Sequence, residues 1–293
     1  MKKLIFLSVI LYIAQLLISC EKEIQWDTQE MPVMLVVEGS FTNEFKKHQV
    51  KLSLSADYFY NQPTPKVSNA SVSLSDGLNV YEYVENPSGS GIYETIDEVA
   101  GETNKTYTLD IQLSEPVNQE THYYATGKII PGMEIDSLIA SIYENPIYYS
   151  GSEDMDSLLI IMIAIGREPA DIHNYYMLNL YDNQALINDT IDEAVIIDDK
   201  EGINGEYVNS FFFFEQFDPG DTVQFEIISV EESYYDFITG VQNIANLSFD
   251  PFNMSGPPAN ASSNIQGSEA IGFFRFGYVS KSTAIAHFLE EDQ

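Results

Sequence analysis

The sequence of 293 residues is poor in several residue types: it has one cysteine, one tryptophan, four histidines and only 13 basic residues. One cysteine allows no disulfide within the chain, so the burial of apolar side chains must hold the fold together. The 45 acidic residues give a net charge of −32. Because so negative a chain is repelled by phosphate backbones, nucleic acid is excluded as the expected partner.

The sequence also lacks the short motifs of common enzyme sites. It contains no G-x-S-x-G, no H-E-x-x-H, no C-x-x-C and no P-loop. The histidines, at positions 48, 122, 173 and 287, are scattered without the spacing of metal ligands. We therefore predict that the protein is not an enzyme. A triad of distant residues and a pair of carboxylates for glycoside hydrolysis stay open, because geometry defines such sites.

What is present begins with the first twenty residues. Two lysines precede an apolar run over residues 4–17, and the run ends in Leu17-Ile18-Ser19-Cys20. This order is typical of a secretory signal, and its ending resembles a bacterial lipobox, in which the cysteine is acylated. We predict a signal peptide over residues 1–19 and a lipidated Cys20 that starts a tether over residues 20–32. The alternative is an uncleaved anchor, but the run is shorter than the roughly 20 apolar residues of a spanning helix.

Residues 33–128 repeat the pattern of a half-buried strand. Apolar residues occupy every second position in Val50–Leu54, Ala70–Leu74 and Tyr107–Leu113, with polar residues between them. Asp76-Gly77 marks a hairpin turn. Seven short strands in about a hundred residues predict an immunoglobulin-like β-sandwich over residues 33–128.

Strand patterns resume after Ile130-Pro131-Gly132, which marks a boundary. The apolar run Leu158–Ile165 predicts a strand buried on both faces. Four successive phenylalanines at 211–214 predict a two-sided core strand, with an exposed aromatic face as the alternative. The fold class is thus all-β, with one or two short helices and a second β-rich domain over residues 129–293.

One helix is expected near residues 230–246, where apolar residues follow helical spacing. Ser229 and Glu232 form a Ser-x-x-Glu capping box, so we expect Ser229 to be the N-cap. Two closing strands are predicted after the helix, over 271–279 and 284–289.

Acidic residues crowd between Asp189 and Glu201, directly before a glycine-rich segment. Oxygen ligands on a glycine-rich loop suit Ca²⁺, although the spacing is not that of an EF-hand. The sequence predicts a Ca²⁺ site at Asp198, Asp199 and Glu201, and no other cofactor. A solvated acidic loop is the alternative.

Several short segments together carry a family likeness. In chain order they are Leu35-Val36-Val37-Glu38-Gly39, Val72-Ser73-Leu74-Ser75-Asp76-Gly77, Ile135-Asp136-Ser137-Leu138, Glu232-Ser233-Tyr234-Tyr235-Asp236-Phe237, Pro251-Phe252, Pro257-Pro258, Asn264-Ile265-Gln266-Gly267 and Ala270-Ile271-Gly272-Phe273-Phe274. With the lipobox, their order resembles the Bacteroidota outer-membrane lipoprotein family called domain of unknown function 4249.

This resemblance implies a lipoprotein often encoded beside TonB-dependent receptors, and it carries over no catalytic residue. We expect a non-enzymatic, lipid-anchored outer-membrane protein that serves as an accessory or ligand-binding partner of a TonB-dependent receptor in nutrient uptake. It would lie on the cell surface or on the periplasmic face. The alternative is a surface-exposed hydrolase or adhesin with its site in the C-terminal domain.

The contact surface for that partner is predicted in the long segment Pro251–Asn264, rich in Pro, Asn and Ser. Long loops are either functional or merely mobile, so a plain surface connector stays the alternative. The residues predicted to face the partner are Phe252, Asn253, Met254 and Asn264.

Overall fold

The computed structural model describes residues 32–56, 62–143, 159–200, 207–208, 211–212, 217–247 and 261–288. Within these ranges the protein is mostly β structure with one helix, so the predicted all-β class is confirmed. The strands are β1 (Leu35–Thr42), β2 (Gln49–Leu54), β3 (Ser71–Ser75), β4 (Val80–Glu85), β5 (Ile92–Thr95), β6 (Thr106–Val117), β7 (Glu120–Lys128), β8 (Glu134–Tyr143), β9 (Leu159–Arg167), β10 (Tyr175–Asp182), β11 (Ala185–Leu186), β12 (Val195–Asp198), β13 (Tyr207–Val208), β14 (Phe211–Phe212), β15 (Thr222–Val230), β16 (Ala270–Ile285) and β17 (His287–Phe288), and the helix is α1 (Glu232–Leu247).

The strands form two sheets. The larger one has twelve strands: eleven follow the order β11-β10-β15-β16-β1-β2-β5-β4-β3-β6-β7, and β12 pairs with β10. The smaller sheet has the order β13-β9-β8-β17, and β14 also pairs with β9. The pairs β1–β16 and β8–β17 are parallel, whereas the other pairs are antiparallel.

Strand β16 joins the two halves of the chain. Its first residues pair with β1, and its later residues pair with β15 as far as Ile285. Two closing strands follow the helix as predicted, but their predicted bounds are wrong, because the polar residues 280–283, which look like a break, continue the ladder of β16 with β15. The second closing strand is the short β17. The predicted domains 33–128 and 129–293 share one sheet, and Val33–Gln293 forms one compact unit.

The alternation of apolar and polar residues along the strands of the N-terminal half defines the first hydrophobic core. All seven strands predicted there are present as β1–β7. Their inward side chains are almost fully buried, and β16 adds Phe274 and Phe276 to the same cluster. Burying one such side chain contributes about 1.5–3 kcal/mol, so the two phenylalanines tie the C-terminal strand firmly to the N-terminal core.

The segment before β16 closes this core on the side of β7. Gln266 and Tyr124 exchange two backbone hydrogen bonds, at N–O distances of 2.9 and 2.7 Å. Next to them, Gly267 has a φ of +117°, and a Cβ at this position would lie 2.2 Å from the carbonyl oxygen of His122. Only glycine fits this approach of two backbones.

A second core lies between the two sheets. It includes Met133, Ala140 and Ala164 from the smaller sheet's side and Tyr176 and Phe225 from the larger sheet. The continuous apolar run that predicts a strand buried on both faces forms β9, whose side chains are described only from Ala164 onward. Phe211 and Phe212 form β14, while residues 213–216 lie outside the described ranges.

Helix α1 packs on the outward face of β10, β15 and β16. The rings of Tyr234 and Phe237 each lie 5.2 Å from the ring of Phe273, and the Arg275 guanidinium lies 5.4 Å from the Tyr234 ring. Tyr234 and Phe237 are among the apolar residues whose helical spacing in the sequence predicts the helix. Its bounds, Glu232–Leu247, agree with the prediction to within two residues.

The predicted N-cap is wrong. Ser229 is a buried residue of β15, and the backbone carbonyl of Glu231 accepts the first helical hydrogen bonds from Tyr234 and Tyr235. Strand β15 pairs with both β10 and β16 through Ser229 and Val230, so pairing of the strand overrides the capping box. The Ser229 hydroxyl instead accepts a hydrogen bond from the Asn174 side chain at 3.0 Å.

Candidate functional site

A histidine and two aspartates meet at one end of the β10–β12 pair. Tyr175 is opposite Asp198 in the register, so the chain entering β10 and the chain leaving β12 run side by side. Just beyond the pair, the Asp199 amide donates to the Asn174 carbonyl at 3.1 Å. This places His173 against both carboxylates.

The three side chains form the cluster that we call the HDD cluster: His173, Asp198 and Asp199. His173 Nε2 lies 2.6 Å from Asp198 Oδ1 and 3.6 Å from Asp199 Oδ1. One donor atom from each residue lies within 4.8 Å of the other two. In the described part of the chain, this is the one group of three or more such side chains close enough to hold a metal ion together.

The electrostatics of the HDD cluster follow from these contacts. The hydrogen bond with Asp198 raises the pKa of His173 above its ordinary value. The same bond with His173 lowers the pKa of the Asp198 carboxyl. Asp199 is the buried member, with 3% of its side chain exposed, against 43% for His173. Its Oδ2 accepts a hydrogen bond from the Asn174 amide at 2.9 Å, which fixes the orientation of the carboxylate.

The structure brings together two of the three predicted Ca²⁺ ligands. Asp198 and Asp199 meet, whereas Glu201 lies outside the described residues. His173, which the sequence does not single out, is the added member. It is 25 residues from Asp198, and the β10–β12 register alone makes them neighbours, so no local motif could reveal the pair.

A buried polar network continues inward from Asp199. The Asn174 side chain donates to the carbonyl of Pro131 at 2.8 Å and to the hydroxyl of Ser229 at 3.0 Å. The Tyr176 hydroxyl accepts a hydrogen bond from the Met133 backbone amide, and it donates one to the buried Glu168 carboxylate at 3.2 Å. Burial raises the pKa of Tyr176, and the nearby Glu168 raises it further. The network therefore fastens the segment after β7 to β10 and β15.

A cleft of about 510 Å³ opens beside this network. It is lined by Thr103, Pro131, Gly132, Glu134, Asp136, Arg167, Glu168, Pro169, Ala170 and Tyr278. The Tyr278 hydroxyl donates to Glu134 at 2.8 Å, and burial together with this bond raises the pKa of Tyr278 to about 12. The cleft thus combines several carboxylates with one arginine.

Three exposed apolar side chains, of Val80, Val84 and Ile96, share the outward face of the larger sheet, and the exposed Leu78 lies in the turn before β4. Leu78, Val80, Val84 and Ile96, which we call the outer strip, are 89%, 59%, 47% and 53% exposed. The Ile96 amide donates to the carbonyl of Glu82 at 3.0 Å, so Ile96 lies diagonally between Val80 and Val84. Diagonal neighbours on a sheet face are about 7–8 Å apart. Val80, Val84 and Ile96 therefore share one face of the sheet, with the exposed Glu82 between the two valines.

The predicted partner surface is described only at one position. Phe252, Asn253 and Met254 lie outside the described residues, as does Cys20. Asn264 is described, and its side chain amide is bound to the backbone of Phe274. The partner role of these residues stays a prediction. No helix in the described ranges is long and apolar enough to cross a membrane.

The fold and the sites define an all-β protein with a surface histidine–aspartate cluster. The chain belongs to the family described as Domain of unknown function (DUF4249), whose model matches residues 21–283. No curated protein matches the chain. Among solved structures, the chain is similar to the three N-terminal domains of the bacteriophage RB49 Highly Immunogenic Outer Capsid protein (Hoc), with 13% identity over 88% of this chain and 71% of that one, at a TM-score of 0.22.

Proposed function

We propose that the protein is a lipid-anchored outer-membrane protein of Bacteroidota that binds a TonB-dependent receptor as a non-enzymatic accessory. The outer strip carries the proposal. The exposed face of a one-sided sheet is expected to be polar, yet Val80, Val84 and Ile96 point outward there. Clustered exposed apolar side chains are typical of protein interaction sites.

Tethering fits this role. The family match begins at residue 21, next to Cys20, so the matched region starts where a mature lipoprotein chain would continue from its lipidated cysteine. A tether over residues 20–32 reaches at most roughly 45 Å when fully extended. Such a tether raises the effective concentration of the folded part near other proteins of the same membrane.

The anchor is tested by Cys20→Ala. We expect the variant to leave the membrane fraction and to lose a metabolically incorporated acyl label. Unchanged fractionation of an unlabelled protein would contradict the anchoring.

Receptor binding is tested by pull-down from outer membranes solubilised in mild detergent, with tagged protein as bait. The strip variant carries Val80→Ser, Val84→Ser and Ile96→Ser, and a second variant replaces residues 251–260 by a Gly-Ser linker. The replacement stops at 260 because Asn264 supports β16. Phe45→Ser is the matched control, since Phe45 is 71% exposed and lies between β1 and β2, apart from the strip.

We expect wild type and Phe45→Ser to recover a TonB-dependent receptor and the strip variant to lose it. Loss in the linker variant would assign the contact to the predicted segment instead. Recovery of no receptor by the wild type would refute the proposal.

The cleft favours a second candidate, a surface hydrolase. Glu134 and Asp136 are exposed carboxylates at its rim, beside Arg167. Two carboxylates at a suitable distance are the machinery of glycoside hydrolysis. Activity on a glycan or peptide panel that disappears in a Glu134→Gln, Asp136→Asn variant would favour the hydrolase over the accessory.

A further inference from the structure

We propose that the HDD cluster is a Zn²⁺-binding site. This inference goes beyond receptor binding and holds whether or not a receptor is the partner. It differs from the Ca²⁺ site predicted from the sequence, because the structure adds an imidazole nitrogen to the two carboxylates. Ca²⁺ takes oxygen ligands, whereas His nitrogen with Asp oxygen is a common donor set for Zn²⁺.

The geometry of the donor atoms supports the assignment. Ligands about 2.0–2.2 Å from Zn²⁺ lie roughly 3–4 Å from one another. His173 Nε2 is 2.6 Å from Asp198 Oδ1 and 3.6 Å from Asp199 Oδ1. The same ring nitrogen therefore faces both carboxylates, and one ligand atom from each of the three residues lies within 4.8 Å of the other two. Three protein ligands leave a fourth position for water.

Asp199 supplies the second observation. Only 3% of its side chain is exposed, and its Oδ2, not its Oδ1, accepts the hydrogen bond from the Asn174 backbone amide. Asp199 Oδ1 lies 3.6 Å from His173 Nε2, which is too long for a hydrogen bond. Asp199 Oδ1 and His173 Nε2 therefore face each other at the spacing of two ligands of one Zn²⁺ ion. A cation between Asp199 and His173 would bind both atoms.

The surrounding contacts hold the ligands in place. The Asn174 amide binds Asp199 Oδ2 at 2.9 Å, and the Lys200 amide binds Asp198 Oδ1 at 2.8 Å. The ring of Tyr175 lies 4.7 Å from that of His173. Contacts of this kind fix ligand orientation in metal sites and are worth about 10–100-fold in affinity.

The chain offers a matched control. His122 Nε2 lies 2.6 Å from Asp110 Oδ2, the same distance as in the cluster, and both residues are about half exposed. This pair has one carboxylate and no buried third ligand among its described contacts. His122→Gln therefore removes an equivalent histidine–aspartate contact without touching the HDD cluster.

The test is zinc titration of the full-length protein in detergent after treatment with a chelator, read by calorimetry and by a zinc-sensitive dye. We expect one Zn²⁺ per chain, a higher melting temperature with zinc, and no saturable binding of Ca²⁺. His173→Gln and Asp199→Asn should each weaken binding at least about tenfold, while His122→Gln should bind like wild type. Asp199→Asn keeps a side-chain oxygen that can accept the hydrogen bond from the Asn174 backbone amide, so this variant should stay folded.

Three results would overturn the proposal: no saturable zinc binding by the wild type, binding unchanged in both cluster variants, or equal loss in His122→Gln. Ca²⁺ binding that outcompetes zinc would also overturn the proposal, and it would favour the Ca²⁺ site predicted from the sequence. If His173→Gln fails to fold, by circular dichroism, Asp198→Asn and Asp199→Asn decide the question on their own.

Discussion

Asn264 holds both backbone groups of Phe274. Its Nδ2 donates to the Phe274 carbonyl at 2.8 Å, and its Oδ1 accepts from the Phe274 amide at 3.0 Å. Strand β15 ends at Val230, opposite Gly277, so Phe274 lies beyond the end of β15. The side chain amide of Asn264 therefore takes the place of a neighbouring strand, and the Asn-Ile-Gln-Gly segment has a structural role.

Replacing Asn264 by leucine, which has a similar size, should destabilise the protein. Both backbone groups of Phe274 would lose their partner, and each unsatisfied buried group costs about 1–3 kcal/mol. We expect a loss of about 2–4 kcal/mol in chemical denaturation. Gln266→Ala is the control, because its exposed side chain is not part of the Tyr124 bridge and should change stability by under about 0.5 kcal/mol. Equal effects of the two substitutions would contradict the role of Asn264.

Gly132 and Ser229 are packed too closely for a side chain at position 132. A Cβ at Gly132 would lie 2.5 Å from the Cβ of Ser229 and 3.2 Å from the Tyr176 ring. Gly132→Ala should therefore cost about 1–3 kcal/mol through overpacking. The cost should shrink when Ser229→Gly removes the opposing Cβ, which a double-mutant cycle measures. Strictly additive free energies of unfolding would show that the two positions do not meet.

The strands of the N-terminal half were predictable because their signal is local. In β3 and β6, alternating side chains such as Val72, Leu74 and Leu109 bury one face, and this pattern is visible in a short stretch of sequence. Ser229 shows the limit of local patterns. Its capping box is present, but pairing with β10 and β16 decides the backbone conformation.

The HDD cluster and the β1–β16 pair could not be predicted for a related reason. Both depend on which distant strands become neighbours, as in the parallel pairing of Leu35 with Ala270. Nothing near His173 in the sequence identifies Asp198 as its partner. The acidic stretch supplied two of the ligands by composition alone, and the strand register supplied the third.

Glu44 should make the stability of the protein depend on pH in the acidic range. Burial alone would raise the pKa of Glu44, but hydrogen bonds from Lys281 and Lys46 outweigh it and lower the pKa from 4.5 to about 2. Below pH 4.5 the unfolded state takes up a proton that the folded state refuses, so stability falls as the pH drops from about 4.5 to about 2. Lys281→Met should reduce this pH dependence and cost about 1 kcal/mol at pH 7, because the lysines are half exposed.

Urea denaturation at pH 7 and pH 3 measures this effect. Lys51→Met is the control, because it breaks the Lys51–Glu38 ion pair, in which both side chains are about half exposed. The difference in stability between the two pH values should stay as in the wild type for Lys51→Met. A pH dependence that is the same in Lys281→Met and wild type would refute the assignment to Glu44.

Glu231 should have the opposite effect on the pH dependence of stability. Burial raises the pKa of this carboxyl, and the hydrogen bond from the Lys128 amide, at 2.9 Å, lowers it only in part. Above the ordinary pKa of 4.5 the unfolded state releases a proton that the folded state keeps. Stability therefore falls as the pH rises through this window, and at neutral pH a buried charge remains as a cost.

Glu231→Gln removes that charge and keeps an oxygen to accept from Lys128. We expect a higher melting temperature at pH 7 and no difference from wild type below pH 4.5, where the carboxyl is neutral in both states. The negative charge also favours the N-terminus of α1, by up to about 2 kcal/mol for a partly buried charge, and this interaction opposes the gain. Glu269→Gln, at an exposed position, should change neither value. A lower melting temperature for Glu231→Gln at pH 7 would mean that the helix end, and not burial, dominates at this carboxylate.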